Sequence, residues 1–157
     1  MKQILHIFLL QPAGRFKISG TLQSMLNYKR ACLPYCFYNL FNGCTRINSS
    51  SGLVFGAEFL AEYCYKNLFY NCSKMTSTVS EIPFKILKSN CYEQMFKLTG
   101  ISTAPALPAT ALASNCYLRM FENCPQLIVA SELPATILAS DCYKYMFYKC
   151  GALQTPP

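Results

Sequence analysis

The chain has 157 residues, 52% of them hydrophobic and 13% charged, with a formal net charge of +7. That is ample apolar material for a core and too little charge for a disordered chain, and the length suits one compact domain or one short repeat array. The positive balance is compatible with nucleic acid, anionic membranes or acidic glycans, but no Lys/Arg run exceeds Lys29-Arg30, so the dense basic stripe of a nucleic-acid binder is missing and no such partner is expected.

At the N-terminus, Met1-Lys2 and the apolar run from Ile4 to Leu10 look faintly like a signal peptide, interrupted by His6 and halted at Gln11. Residues 1–13 read equally as a first strand or an arbitrary start within a longer gene. The run is too short to cross a bilayer, and no longer one follows, so no membrane insertion is expected.

The strongest signal is internal repetition. The pattern C-[YF]-x-x-[ML]-F-x-x-C begins at Cys36, Cys64, Cys91, Cys116 and Cys142, with successive intervals of 28, 27, 25 and 26 positions. The third copy has Thr99 in place of its second cysteine. A second block precedes the cysteine block. Leu133-Pro134-Ala135-Thr136 and Leu107-Pro108-Ala109-Thr110 are its best copies, while Ile82-Pro83 and Phe55-Gly56 are weaker ones. An apolar residue follows each block at Ile47, Met75, Ile101, Leu127 and Leu153. The approximate repeats are 27–54, 55–81, 82–106, 107–132 and 133–157.

Within the unit, Leu138, Cys142 and Met146 are spaced by four, as are Ala139, Tyr143 and Phe147. At about 100° per residue they share one apolar arc, which predicts a helix over 138–147. Its start is open: Thr136 is one candidate N-cap, and Asp141, Asn115 and Asn90 would cap a shorter helix. Residues 127–133 are the strand candidate, with apolar Leu127, Val129 and Leu133, and Pro134 ends it. One helix and one strand cannot bury both faces alone, whereas stacked copies can. The expected fold class is therefore α/β, a leucine-rich-repeat-like solenoid of five strand–helix units.

The units LPATALASNCYLRMFENCPQL and LPATILASDCYKYMFYKCGAL resemble the BspA-like leucine-rich-repeat surface proteins, especially those of gut bacteria. The likeness spans roughly residues 14–157. Phe16 to Gly20, followed by Leu22, Ser24, Met25 and Leu26, looks like that family's lead-in strand, so 14–26 reads as a lead-in cap and 27–157 as the repeat array. Gly56 for Pro, Thr99 for Cys and Cys32 for Leu depart from the pattern. The resemblance implies a secreted or surface-exposed binding protein, often discussed as an adhesin, with no catalytic residues to carry over.

Ten cysteines invite disulfide or zinc readings. Cys142 and Cys150 would lie about 12 Å apart along a helix, beyond the roughly 7 Å that a disulfide spans. Thr99 would orphan Cys91, and Cys32 stands where other copies have Leu60, Leu87, Leu112 and Leu138. Buried reduced thiols are the favoured reading, ahead of cross-repeat disulfides, and zinc is disfavoured because the only histidine, His6, is distant. No cofactor is expected. The seven carboxylates, Glu58, Glu62, Glu81, Glu93, Glu122, Glu132 and Asp141, are spread over the array, and no phosphate loop or calcium loop is present, so no enzyme activity is expected.

The columns Cys36, Cys64, Cys91, Cys116 and Cys142, and Phe41, Phe69, Phe96, Phe121 and Phe147, read as a core ladder, joined by Phe37, Tyr65, Tyr92, Tyr117 and Tyr143. Tyr28, Tyr38, Tyr70, Tyr145 and Tyr148 fall outside the columns. With Lys66, Arg119 and Lys144 they read as scattered surface residues or as a binding face. The expected function is interaction with an unknown protein or glycan at the cell surface. A structural spacer and a glycan-binding accessory domain are the alternatives. The last copy lacks a polar cap, which predicts an apolar end available for self-association.

Overall fold

The computed structural model describes residues 6–7, 14–27 and 29–157. The signal-like reading of 1–13 falls mostly outside them, and Tyr28 falls outside them entirely. β1 (His6–Ile7) pairs antiparallel with β2 (Phe16–Thr21), which pairs parallel with β3 (Ile47–Val54). After β2 comes a 3-10 helix, η1 (Leu22–Leu26), closed by Asn27 in the left-handed region at φ 52. Gln23 ties this lead-in to the first copy: its Nε2 donates to Lys29 O at 3.3 Å and lies 3.9 Å from Cys32 Sγ. Gly56, which replaces the proline of the later copies, has φ +65, and a Cβ there would sit 2.5 Å from Thr21 Cγ2. The close approach of the lead-in leaves room only for glycine.

The expected strand–helix solenoid is not formed. No α-helix occurs among the described residues, and 138–147 is a chain of tight turns. Nor is 127–133 a strand: Val129 makes isolated parallel bridges to Thr103 and Thr155, and no ladder extends from them. The third copy shows what replaces the helix. The amides of Cys91, Glu93, Met95, Lys97 and Thr99 bond back three residues, to Lys88, Asn90, Tyr92, Gln94 and Phe96. The alternate amides, Asn90, Tyr92, Gln94, Phe96 and Leu98, bond instead to Ser114, Cys116, Leu118, Met120 and Glu122 of the next copy. Half of the amides thus close turns and half join neighbouring copies, so each finds a partner without a helix.

Every fourth residue turns the corner in the left-handed region, as at Asn90 (φ 57), Gln94 (φ 55) and Leu98 (φ 62). A positive φ at the third position of each i→i+3 turn is the mark of a type II turn. Asn, Asp or Gly holds eight of the fifteen corners in the five copies, the residue types that tolerate this conformation best. Asn90, Asn115 and Asp141 are therefore corner residues, and they cap no helix. The periodicity misled because a spacing of four fits both a helix and a four-residue turn.

The turn chain keeps C-Y and M-F side chains pointing inward, one copy above another. Tyr65, Tyr92, Tyr117 and Tyr143 stack with centroids 5.7, 5.9 and 5.9 Å apart. The rings from Phe41 through Phe69, Phe96 and Phe121 to Phe147 follow at 5.4, 5.5, 5.6 and 5.5 Å. Near-parallel contacts of this kind contribute about 0.5–1.5 kcal/mol each beyond burial. Cys64, Cys91, Cys116 and Cys142 are buried beside them, and Cys36 is half-buried.

All ten cysteines are free thiols. The second cysteine column has a recognisable bonding role. Cys72, Cys124 and Cys150 each donate to a phenylalanine carbonyl of an earlier copy, Phe41, Phe96 and Phe121, at 3.0 Å. Thr99, which interrupts the column, also donates to Phe96 O, at 2.8 Å, and touches Cys124 Sγ at 3.4 Å. A hydroxyl takes this place because the position calls for a small donor.

Candidate interaction face

The residues between the inward pairs occupy the outside of the turns, and their order in the stack decides what they meet. Lys66, Glu93 and Lys144 sit at one position of successive copies; Tyr70, Lys97, Glu122 and Tyr148 sit at another. In the central copies this face is closed on itself. Lys66 Nζ is 2.8 Å from Glu93 Oε2, which also accepts from Asn90 Nδ2 at 2.6 Å. Lys97 Nζ and Arg119 Nη1 lie 3.1 and 3.3 Å from Glu122 Oε2, and Lys97 also covers the Tyr70 ring at 5.9 Å. Glu93 and Glu122 are both buried, so each carboxylate is held by cations and amides of the same fold.

The last copy differs. Tyr145 and Tyr148 are 48% and 49% exposed, with ring centroids 5.5 Å apart. Arg119 Cζ lies 5.1 Å and Lys144 Nζ 6.0 Å from the Tyr145 ring, and Lys149 Nζ lies 5.3 Å from that of Tyr148. The structure therefore brings together Tyr145, Tyr148, Arg119 and Lys144. Lys66 and Tyr70, grouped with them on sequence grounds, are engaged by the central copies. Tyr38 is exposed at the far end of the stack, edge-on to Tyr35 at 5.9 Å.

Two features escaped the sequence reading. Ala31, Phe59, Ile86, Ala111 and Ile137 line up through parallel bridges between copies, and Phe59, Ile86 and Ile137 are exposed. A groove of about 520 Å³ runs beside Phe59 and Ile86 and is edged by Lys85 and Lys88. The variable residue between Thr and Leu in the second block was the available signal. Leu138, placed by the helix expectation on a buried arc, is 61% exposed, whereas its counterpart Leu112 is 7% exposed. Leu112 has a following copy to cover it, and Leu138 does not.

The second feature is a thiol cluster. Cys32 Sγ lies 3.4 Å from Tyr65 Oη, and the thiols of Cys36 and Cys64 also direct hydrogen bonds to it. These donors favour the Cys32 thiolate and outweigh its burial, so this thiol is held well below the ordinary range. The same sharing, with desolvation, pushes Cys36 up, while desolvation is the main cause for Cys64. Desolvation alone drives Cys72, Cys91 and Cys116 upward against weaker backbone donors. Among the described residues no group of His, Cys, Asp and Glu is arranged to hold a metal ion.

Comparison with protein-family models, with curated proteins and with solved structures finds no match.

Proposed function

We propose that the chain is a non-catalytic interaction module of a secreted or cell-surface protein, binding a protein or glycan partner through the turn face of its last two copies. The observation that carries this reading is the pair Tyr145 and Tyr148, half-exposed and flanked by Arg119, Lys144 and Lys149. Tyrosine offers a large, rigid contact area with a polar tip, and arginine adds directional donors. Both residue types carry much of the binding energy where they cluster on recognition surfaces. The likeness of the repeat units to BspA-like surface proteins supports the cellular setting. Binding of the intact chain to arrays of glycans and extracellular proteins, repeated with Tyr145→Ala and Tyr148→Ala, tests it. Hits lost in both variants support the face; no signal above background, or hits indifferent to both variants, would reject it.

One observation favours a second reading, a spacer that joins further copies or another molecule. The amides of Tyr143, Tyr145, Phe147 and Lys149 occupy the positions that bond to a following copy elsewhere, and they have no such partner among the described residues. Sedimentation over a range of concentrations distinguishes the two. A persistent monomer speaks against self-association through this edge.

A further inference from the structure

The N-terminal end of the stack holds a chemical group that the interaction reading does not use. Cys32 stands where the next three copies have the buried residues Leu60, Leu87 and Leu112. Its sulfur is ringed by Gln23 Nε2 at 3.9 Å, Tyr65 Oη at 3.4 Å and the thiols of Cys36 and Cys64. Cys36 follows through the turn closed by its own amide on Leu33 O at 3.1 Å. Cys32 and Cys64 are buried, whereas Cys36 is half-exposed.

We propose that Cys32 and Cys36 form a redox-active dithiol that is closed to an intramolecular disulfide by a low-molecular-weight disulfide. Cys36, the reachable member, passes its proton to the Cys32 thiolate as its sulfur attacks the reagent. The Cys36 sulfur bonds to one half of the reagent, and the other half leaves as a thiolate that takes a proton from solvent. Cys32 then loses its proton and attacks the Cys36 sulfur, expelling the second half in the same way. Two protein thiols become one disulfide, and one molecule of reagent becomes two thiols. The hydrogen bonds already directed at Cys32 favour its anionic form, which is the form that each step needs. The remaining thiols lack this arrangement: Cys72, Cys124 and Cys150 spend their protons on backbone carbonyls. The inference stands independently of any partner at the turn face.

The test uses the full chain, reduced and then titrated with oxidised glutathione, with remaining thiols alkylated before chymotrypsin digestion. Cleavage after Tyr35 separates Cys32 from Cys36 in sequence, so the two peptides stay together only through a disulfide. The expected result is a linked pair that forms before any other thiol is lost and separates on reduction. Cys32→Leu, which installs the residue of the other copies, should abolish the link and arrest Cys36 as a glutathione adduct. A first-formed link between other cysteines, no link at all, or an unchanged Cys36 product in Cys32→Leu would overturn the proposal. The mapping on the unaltered chain stands even if a variant folds poorly.

Discussion

The two ends of the stack start from the same repeat and finish differently. At the N-terminal end no copy precedes Phe37 and Phe41, yet both are buried, because β2 and η1 add Ile18 and Leu22 to the same core and Gln23 reaches the first copy. At the C-terminal end Tyr143 and Phe147 are only partly buried and Leu138 lies open. A repeat of this kind does not own its core. Burial is conferred by the neighbours, so identical residues differ in worth according to their place in the array.

Truncations along one ring column give the largest expected contrast. Phe121→Ala removes a fully buried ring held between Phe96 and Phe147 and should cost about 3–5 kcal/mol. Phe147→Ala, with a ring on one side only, should cost less than half as much. Urea unfolding of both variants checks this, and equal losses would mean that the open end is covered in solution. The ion pairs give the next contrast. Glu122→Ala leaves Lys97 beside an uncompensated buried site and should cost about 3 kcal/mol. Asp141→Ala breaks the exposed pair with Lys144 and should cost well under about 1 kcal/mol.

Backbone protection offers a version of the comparison without mutation. The amides of Tyr92, Gln94 and Phe96 bond to the next copy, and those of Tyr143, Tyr145 and Phe147 have none to bond. Hydrogen exchange should be slow at the first set and fast at the second. Comparable protection at both would show that another molecule caps the edge.

Much of the register was legible, because residues that stack must repeat at a fixed interval, and C-Y-x-x-M-F does so. The secondary structure was not. Leu138, Cys142 and Met146 carry a spacing that a helix and a turn chain share, and only Asn90, Asn115 and Asp141 hinted at corners. Those same residues are also good helix caps, so one residue type served two structures. The tyrosine–arginine cluster was half legible: Tyr145, Tyr148, Arg119 and Lys144 converge, but sequence says nothing of the cations that occupy Glu93 and Glu122. The exposure of Leu138 was hidden for another reason, since the sequence of a copy is silent on whether anything follows it.

The smallest predicted effect separates two tyrosines of one column. Tyr65 Oη meets Cys32 Sγ, whereas the buried hydroxyls of Tyr92 and Tyr117 have no hydrogen-bond partner. Desolvation pushes the Tyr117 and Tyr92 hydroxyls well above their ordinary range, since an anion there would have no solvent and no donor. A buried hydroxyl without a partner costs about 1–3 kcal/mol relative to one left in water. Tyr92→Phe removes that cost and keeps the ring stack, so it should raise the unfolding midpoint by about 1 kcal/mol equivalent. Tyr65→Phe deletes a contact that is made, and it should be neutral or slightly destabilising. If both substitutions destabilise equally, the Tyr92 hydroxyl has found a partner, and the middle of the column is wetter than the close ring stacking implies.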